Sequence, residues 1–136
     1  MTPAGILETV IYAADLDAAQ AFYETVLGLQ RVARVGDRHV FFSMGDQMLL
    51  VFNPQATREP PKPGALPIPI HGAEGPCHVC FRASRDELDR WQAHLVAHGV
   101  EIESVVDWPK GGRSIYFRDP AGNSIEFAEP KIWGFA

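Results

Sequence analysis

Apolar residues fall along this chain in a pattern that is written twice. Residues 6–13 (ILETVIYA) form a short apolar run of strand type, and residues 16–27 follow with Phe22, Val26 and Leu29 at helical spacing, ended by Gly28. Residues 76–83 (PCHVCFRA) repeat the strand, and residues 85–97 repeat the helix with Leu88, Trp91 and Leu95 on one stripe before Gly99. Asp15 and Ser84 are suited to cap the helix starts, and Gly28 and Gly99 to take the left-handed position past the helix ends.

The repeat continues after the helices. Residues 36–42 (GDRHVFF) match residues 111–117 (GGRSIYF) without a gap, and residues 45–52 parallel 122–129 with two extra residues in the second turn. That turn carries Asp119, Pro120, Gly122 and Asn123, residues that favour a tight reversal between strands. Each half reads as β, α and then two or three strands, and neither half can bury both faces of its own sheet. The expectation is a single domain, 1–136, with module one at 4–52, a linker at 53–75, module two at 76–130 and a tail at 131–136. Prolines at 54, 60, 61, 63, 67 and 69 argue against helix or central strand in the linker, which is read as an extended connection at the edge of the active site.

Composition narrows the function classes. A chain of 136 residues can bury a core without disulfides. The net charge of −5, with no basic run, argues against a nucleic-acid partner, because such binding rests on clustered Lys and Arg. No apolar stretch approaches the ~20 residues of a membrane span, and residues 1–5 lack leader features, so a cytoplasmic protein is expected. The two cysteines, Cys77 and Cys80, bracket His78 inside a strand-like run; Cys80 shares the face of His78 and Cys77 points away. A lone CxxC in a strand lacks the second half of a zinc ribbon and the helix that a redox pair opens. The apolar tail Ile132-Trp133-Gly134-Phe135 is expected to pack on its own module or to meet a second copy in a homodimer.

Strand alternation places the chemistry. Ile125 and Phe127, with Ile115 and Phe117, take the core face, so Glu126 shares the opposite face with Ser124, Ala128, Ser114 and Tyr116. The first strands bring Glu8 and His78 to equivalent positions. Where module two has Glu126, the repeat puts Leu49 in module one, so three metal-ligand candidates remain: Glu8, His78 and Glu126. Acids and an imidazole at matched positions in an apolar sheet point to a bound divalent ion, since buried charge is costly unless paired or metal-bound. The metal-free alternative is a buried ion network around a protonated His78. His39 occupies the place of Ser114 and should face the cavity, and His71 of the linker is placed at its rim; His94 and His98 should be solvent-facing on the second helix.

The segment Glu8-Thr9-Val10, through Asp15-Leu16 to Phe22-Tyr23-x-x-Val26-Leu27-Gly28-Leu29, together with Phe117-Arg118-Asp119-Pro120-Ala121-Gly122-Asn123-x-x-Glu126, resembles the vicinal oxygen chelate superfamily of glyoxalases, bleomycin-resistance proteins and extradiol dioxygenases. The resemblance implies an α+β fold: two tandem βαβββ modules forming an open eight-stranded half-barrel, helices outside, cupping one divalent metal ion (zinc, nickel, manganese or iron). His78 and Glu126 match the family's ligand positions, and Glu8 stands where many relatives have His or Gln. Lys110-Gly111-Gly112-Arg113 resembles the loop that closes over substrate in glyoxalase-like relatives, with cations for an anionic group. The substrate-binding set is then His39, Cys80, Arg113, Ser114 and Tyr116.

The implied activity is that of a metal-dependent, glyoxalase-like lyase or isomerase. It would act on a small oxygen-chelating substrate through an enediolate-type intermediate, with Glu8 and Glu126 moving the proton. An extradiol ring-cleaving dioxygenase is the second reading, weakened by the missing second histidine of the non-haem iron triad. A bleomycin- or fosfomycin-resistance-type antibiotic binding protein is the third.

Overall fold

The order strand, helix, three strands is present in each half of the chain. A computed structural model describes residues 1–136, which divide into the units Met1–Gly75 and Pro76–Ala136. The first holds β1 (Glu8–Tyr12), α1 (Leu16–Ala21) running into a π turn (Phe22–Val26), β2 (Gln30–Val35), β3 (His39–Met44), β4 (Gln47–Phe52) and a short α2 (Pro54–Thr57). The second holds β5 (His78–Arg82), α3 (Arg85–Ala97), β6 (Ser104–Asp107), β7 (Arg113–Arg118), β8 (Ser124–Ala128) and a 3-10 turn (Pro130–Trp133). The chain is α+β, with two tandem modules. No helix is long and apolar enough to cross a membrane.

The expected caps form. The Asp15 carboxylate accepts from the Ala18 N–H at 3.0 Å, and Ser84 and Glu87 build a reciprocal capping box at the start of α3. Gly28 and Gly99 close the two helical segments at φ 68° and 72°. The first helix departs from the expected regular α-helix over 16–27, because its last turn widens so that Leu27 N–H reaches the Phe22 carbonyl at 3.3 Å. That turn lets two adjacent aromatics, Phe22 and Tyr23, both turn inward, with Tyr23 fully buried 5.7 Å from the Phe42 ring.

The two sheets have the same topology, β1-β4-β3-β2 and β5-β8-β7-β6, with the first pair parallel and the others antiparallel. One face of each carries the core: Ile11, Val40, Phe42, Leu49 and Val51 in the first, Ile115, Phe117, Ile125 and Phe127 in the second. Trp91 of α3 stacks on Phe127 at 4.5 Å and 14°. The opposite face of each sheet bears the alternate residues.

The strand registers correct one expected equivalence. Ser43 pairs with Met48 across the β3–β4 turn, and Arg118 with Ser124 across the β7–β8 turn, so the second turn is longer by a single residue, not by two. A one-residue slip exchanges the faces of a strand. The counterpart of Glu126 is therefore Leu50, which pairs with Val10 as Glu126 pairs with Cys80, while Leu49 is a fully buried core residue. The linker holds a second correction. Residues 54–57 form one helical turn despite Pro54, because proline is favourable at a first helical position and Asn53 caps it, accepting from Gln55 N–H at 3.1 Å.

The Asp119–Asn123 turn is held by side chains. Asp119 Oδ1 accepts from the N–H groups of Ala121 and Asn123 at 3.0 and 2.9 Å, and Asn123 Nδ2 donates to Asp119 Oδ2 at 2.9 Å. Asn123 Oδ1 also accepts from Cys77 N–H at 3.0 Å, tying the turn to the chain that enters β5. Asn123→Ala should cost about 2 kcal/mol, the order expected for a buried network left partly unpaired, and urea unfolding would measure it.

Candidate active site

In the second unit the face opposite the core is built in rows by the register. His78, Ser124 and Arg118 form one row; Cys80, Glu126 and Tyr116 the next; Arg82, Ala128 and Ser114 the third. Diagonal neighbours on such a face are within reach of long side chains. His78 Nε2 accordingly lies 3.2 Å from Glu126 Oε2. The imidazole is half-exposed, whereas Glu126 is only 5% exposed and its Oε1 has no hydrogen-bond partner.

The protonation of His78 is constrained by its other nitrogen. Nδ1 lies 3.0 Å from the Ser124 carbonyl oxygen, an atom that can only accept, so Nδ1 carries the hydrogen. Nε2 then faces the Glu126 carboxylate. Two acceptors at this distance repel unless a proton or a cation lies between them. An imidazole oriented through its second nitrogen by a carbonyl is the usual arrangement of a metal-ligating histidine.

Tyr116 and Cys80 flank the carboxylate. Burial, a hydrogen bond to Glu126 and its charge raise the Tyr116 hydroxyl above its ordinary value. Burial pushes the Cys80 thiol up to about 12, with the Glu126 charge adding to the rise. Both groups therefore remain protonated donors at neutral pH, although the Cys80 residue has an exposed edge. Tyr116 also lies near-parallel to His78, with centroids 6.3 Å apart, and borders a hollow of about 270 Å³ lined by Glu103, Ser104, Arg118 and Ser124. Ser114 is fully buried and accepts from Trp108 Nε1 at 2.8 Å, a positioning bond that alternation alone does not reveal.

Arg113 does not join this group. It sits on the core-side face with Ile115 and Phe117, and its guanidinium meets Asp107 at 2.9 Å and Asp89 of α3 at 3.8 Å. Substrate binding was expected from its place beside the glycine loop, but its odd position on β7 turns it to the helix side. The loop itself packs under the tail: a Cβ on Gly112 would meet Ile132 Cγ2 at 2.5 Å. Lys110 and Gly111, with Trp108, Pro109, Ile132 and Trp133, line an apolar pocket of about 300 Å³. His78 and Glu126 are joined within this unit by no third His, Cys, Asp or Glu at metal-holding distance.

In the first unit the same rows read Glu8, Met48 and Ser43; Val10, Leu50 and Phe41; Tyr12, Phe52 and His39. Glu8 opens β1 as His78 opens β5; it is exposed and has no ion-pair partner. His39 faces the same side as Glu8, and burial, assisted by the Arg38 charge, lowers its pKa below the ordinary 6.5. As pH falls below that value the unfolded chain takes a proton that the folded one resists, so stability drops. His39→Gln should flatten this loss, checked by urea unfolding at about pH 7 and about pH 5.5.

Residues 5–127 match the family described as the Glyoxalase/Bleomycin resistance protein/Dioxygenase superfamily. The chain is similar to a lactoylglutathione lyase from Agrobacterium tumefaciens of known structure, with 46% identity over 99% of this chain and 100% of that one, at a TM-score of 0.95. It is also similar to a glyoxalase/bleomycin resistance protein/dioxygenase from Nocardioides, with 26% identity over 95% of this chain and 85% of that one, at a TM-score of 0.73. A fosfomycin resistance protein from Mesorhizobium loti shares the fold, at 20% identity and a TM-score of 0.63, over 94% of this chain and 93% of that one. With the family match spanning nearly all of a chain that shows the duplicated βαβββ order, this protein belongs to the glyoxalase/bleomycin resistance protein/dioxygenase superfamily.

Proposed function

We propose that this protein is a metal-dependent lyase of glyoxalase type, acting on a small substrate with vicinal oxygens. The observation that carries the reading is the pairing of His78 Nε2 with the buried Glu126, whose second oxygen has no partner. The donor set suits a divalent ion: the Nδ1 contact with the Ser124 carbonyl turns His78 Nε2 toward Glu126, and Glu126 offers an uncommitted buried oxygen. Glu8, at the matching place on β1, is proposed as the third ligand; two carboxylates and an imidazole suit zinc, nickel, manganese or iron. Such an ion, when bound, polarises substrate oxygens and lowers the cost of the negative charge formed on proton removal.

The protein's own residues supply the rest. Glu126 or Glu8 takes a proton from the carbon next to the substrate carbonyl and returns it to the neighbouring carbon, as general base and then general acid. Tyr116 and Cys80, both protonated, donate toward the carboxylate and the substrate oxygens, and Ser114 is held by Trp108 at the end of the same face. The 46% identity to a lactoylglutathione lyase favours isomerisation of this kind over ring cleavage.

The reading is tested by loading the purified protein with each metal in turn. It should convert the adducts of methylglyoxal with thiols to hydroxyacyl thioesters, with no oxygen uptake on catechols. Oxygen uptake with catechol, and no turnover of any thiol adduct, would replace this function with the dioxygenase.

A further inference from the structure

The second unit carries two histidines on α3 that the proton transfer does not use. His94 and His98 stand four residues apart at the C-terminal end of the helix, and side chains at that spacing share one face. Their rings are in contact, with centroids 4.1 Å apart and planes tilted by 36°. Leu88 and Leu95 turn α3 inward and Trp91 stacks on Phe127 of the core face, so the pair lies across the sheet from His78 and Glu126. His98 is exposed and His94 half-buried. The helical segment of module one, residues 16–27, contains no histidine, so the fold does not require the pair.

Each ring is held from a second side. His98 Nδ1 lies 2.8 Å from the His94 carbonyl oxygen, an atom that can only accept, so that nitrogen carries a hydrogen and Nε2 is the ligand atom. A backbone carbonyl on one ring nitrogen is what aims the other nitrogen of a metal-bound histidine. The His94 ring stands edge-on to Trp91 at 5.4 Å and 90°, which fixes its plane. An imidazole nitrogen binds a divalent ion at about 2.0–2.1 Å, so two of them on one ion are about 3 Å apart, a span that touching rings reach without moving the backbone. Helices that hold zinc use the same spacing of two histidines. The last carbonyls of α3 end beside the pair, and the helix dipole favours a cation there. Arg90, one turn before His94, has Glu87 within electrostatic reach, and both border a hollow of about 330 Å³ beside Trp91 and His94 that gives room for water around an ion.

We propose that His94 and His98 form a second metal site, a two-imidazole clamp for copper(II). Copper(II) stands at the top of the divalent affinity order and accepts a tetragonal shell of nitrogen and oxygen ligands, which two imidazoles and water supply. Cobalt stands lower in that order and should leave the pair empty at concentrations that load the site proposed at His78. The copper clamp does not depend on the reading of Glu8, His78 and Glu126.

The test titrates copper(II) sulfate into the His78→Ala chain, with the parent in parallel, and follows binding by calorimetry and electron paramagnetic resonance. In His78→Ala one copper per chain should bind with the nitrogen hyperfine pattern of two imidazoles. Adding His94→Asn or His98→Asn should weaken that binding at least about tenfold, because one of two points of attachment is lost. Val96→His combined with His98→Asn keeps the number of histidines but sets the second one two residues from the first, where side chains do not face each other, and should bind as weakly as His98→Asn alone. In the parent, the first copper lost on adding either substitution should be the one that broadens the amide resonances of residues 94–99. Copper held as tightly by both single substitutions, or restored by the displaced histidine, or broadening centred on other residues, overturns the clamp and leaves the reading of the His78 site untouched.

Discussion

Replacing His78 with alanine should weaken divalent-ion binding at least about 100-fold, ~2.7 kcal/mol, while the chain stays folded. The loss follows from geometry, because His78 Nε2 faces Glu126 at 3.2 Å and the Nδ1 contact with the Ser124 carbonyl aims the ring there. The fold should survive because the ring is half-exposed and belongs to no core contact. Thermal unfolding of the metal-free variant should lie within about 2 °C of the parent, since the removed atoms bury little surface. Calorimetric titration with zinc or nickel measures the first effect, and metal binding as tight as the parent's would refute the assignment.

Glu126→Leu should abolish turnover, by more than about 1000-fold, and at the same time stabilise the metal-free protein by about 1–3 kcal/mol. Glu126 is 5% exposed with an unpartnered oxygen, so its burial opposes folding unless something positive meets it. The first module has already made this change: Leu50 stands at the same place and is well buried. Removing the carboxylate leaves no buried charge behind, because His78 is half-exposed, and it costs the hydrogen bond from Tyr116, which is itself only partly buried. Added metal should stabilise the parent and leave the variant unmoved, a contrast that a general packing effect would not produce. Activity on thiol adducts and urea midpoints, each with and without metal, measure both halves.

The fold was legible because the chain repeats itself. Two strand-helix units ended by glycine, with Asp15 and Ser84 at the starts, prescribe the elements that form. What escaped depends on single residues. The turn at Asp119–Asn123 exceeds its counterpart in the first module by one residue where the glycine alignment suggests two, and that slip moved Leu49 onto a face that Leu50 occupies. Helical spacing gives no sign of the π turn at Phe22–Val26, because two adjacent aromatics are as compatible with a regular helix. The turn at Pro54–Thr57 was hidden by counting prolines rather than placing them.

The site was partly legible. Alternation brings Ser114, Tyr116, Cys80, His78 and Glu126 to one face, and the registers put them there. The parity of Arg113 on β7 puts it on the helix side, where it meets Asp89 and Asp107, whereas its place beside the glycine loop suggests the cavity. The aromatic wall of module one was within reach of the same rule, since Phe41 and Phe52 share the parity of His39. Its hydrogen bond between His71 and Tyr12 joins residues far apart in sequence, and no local pattern announces it.

Glu8, His78 and Glu126 are proposed to hold one divalent ion. Anomalous diffraction at the cobalt edge, from crystals of the cobalt-loaded protein, tests it most directly. A single strong peak per chain is expected, bonded to Nε2 of His78 and to carboxylate oxygens of Glu126 and Glu8. A peak coordinated by other residues, or none at full cobalt occupancy in solution, would contradict it.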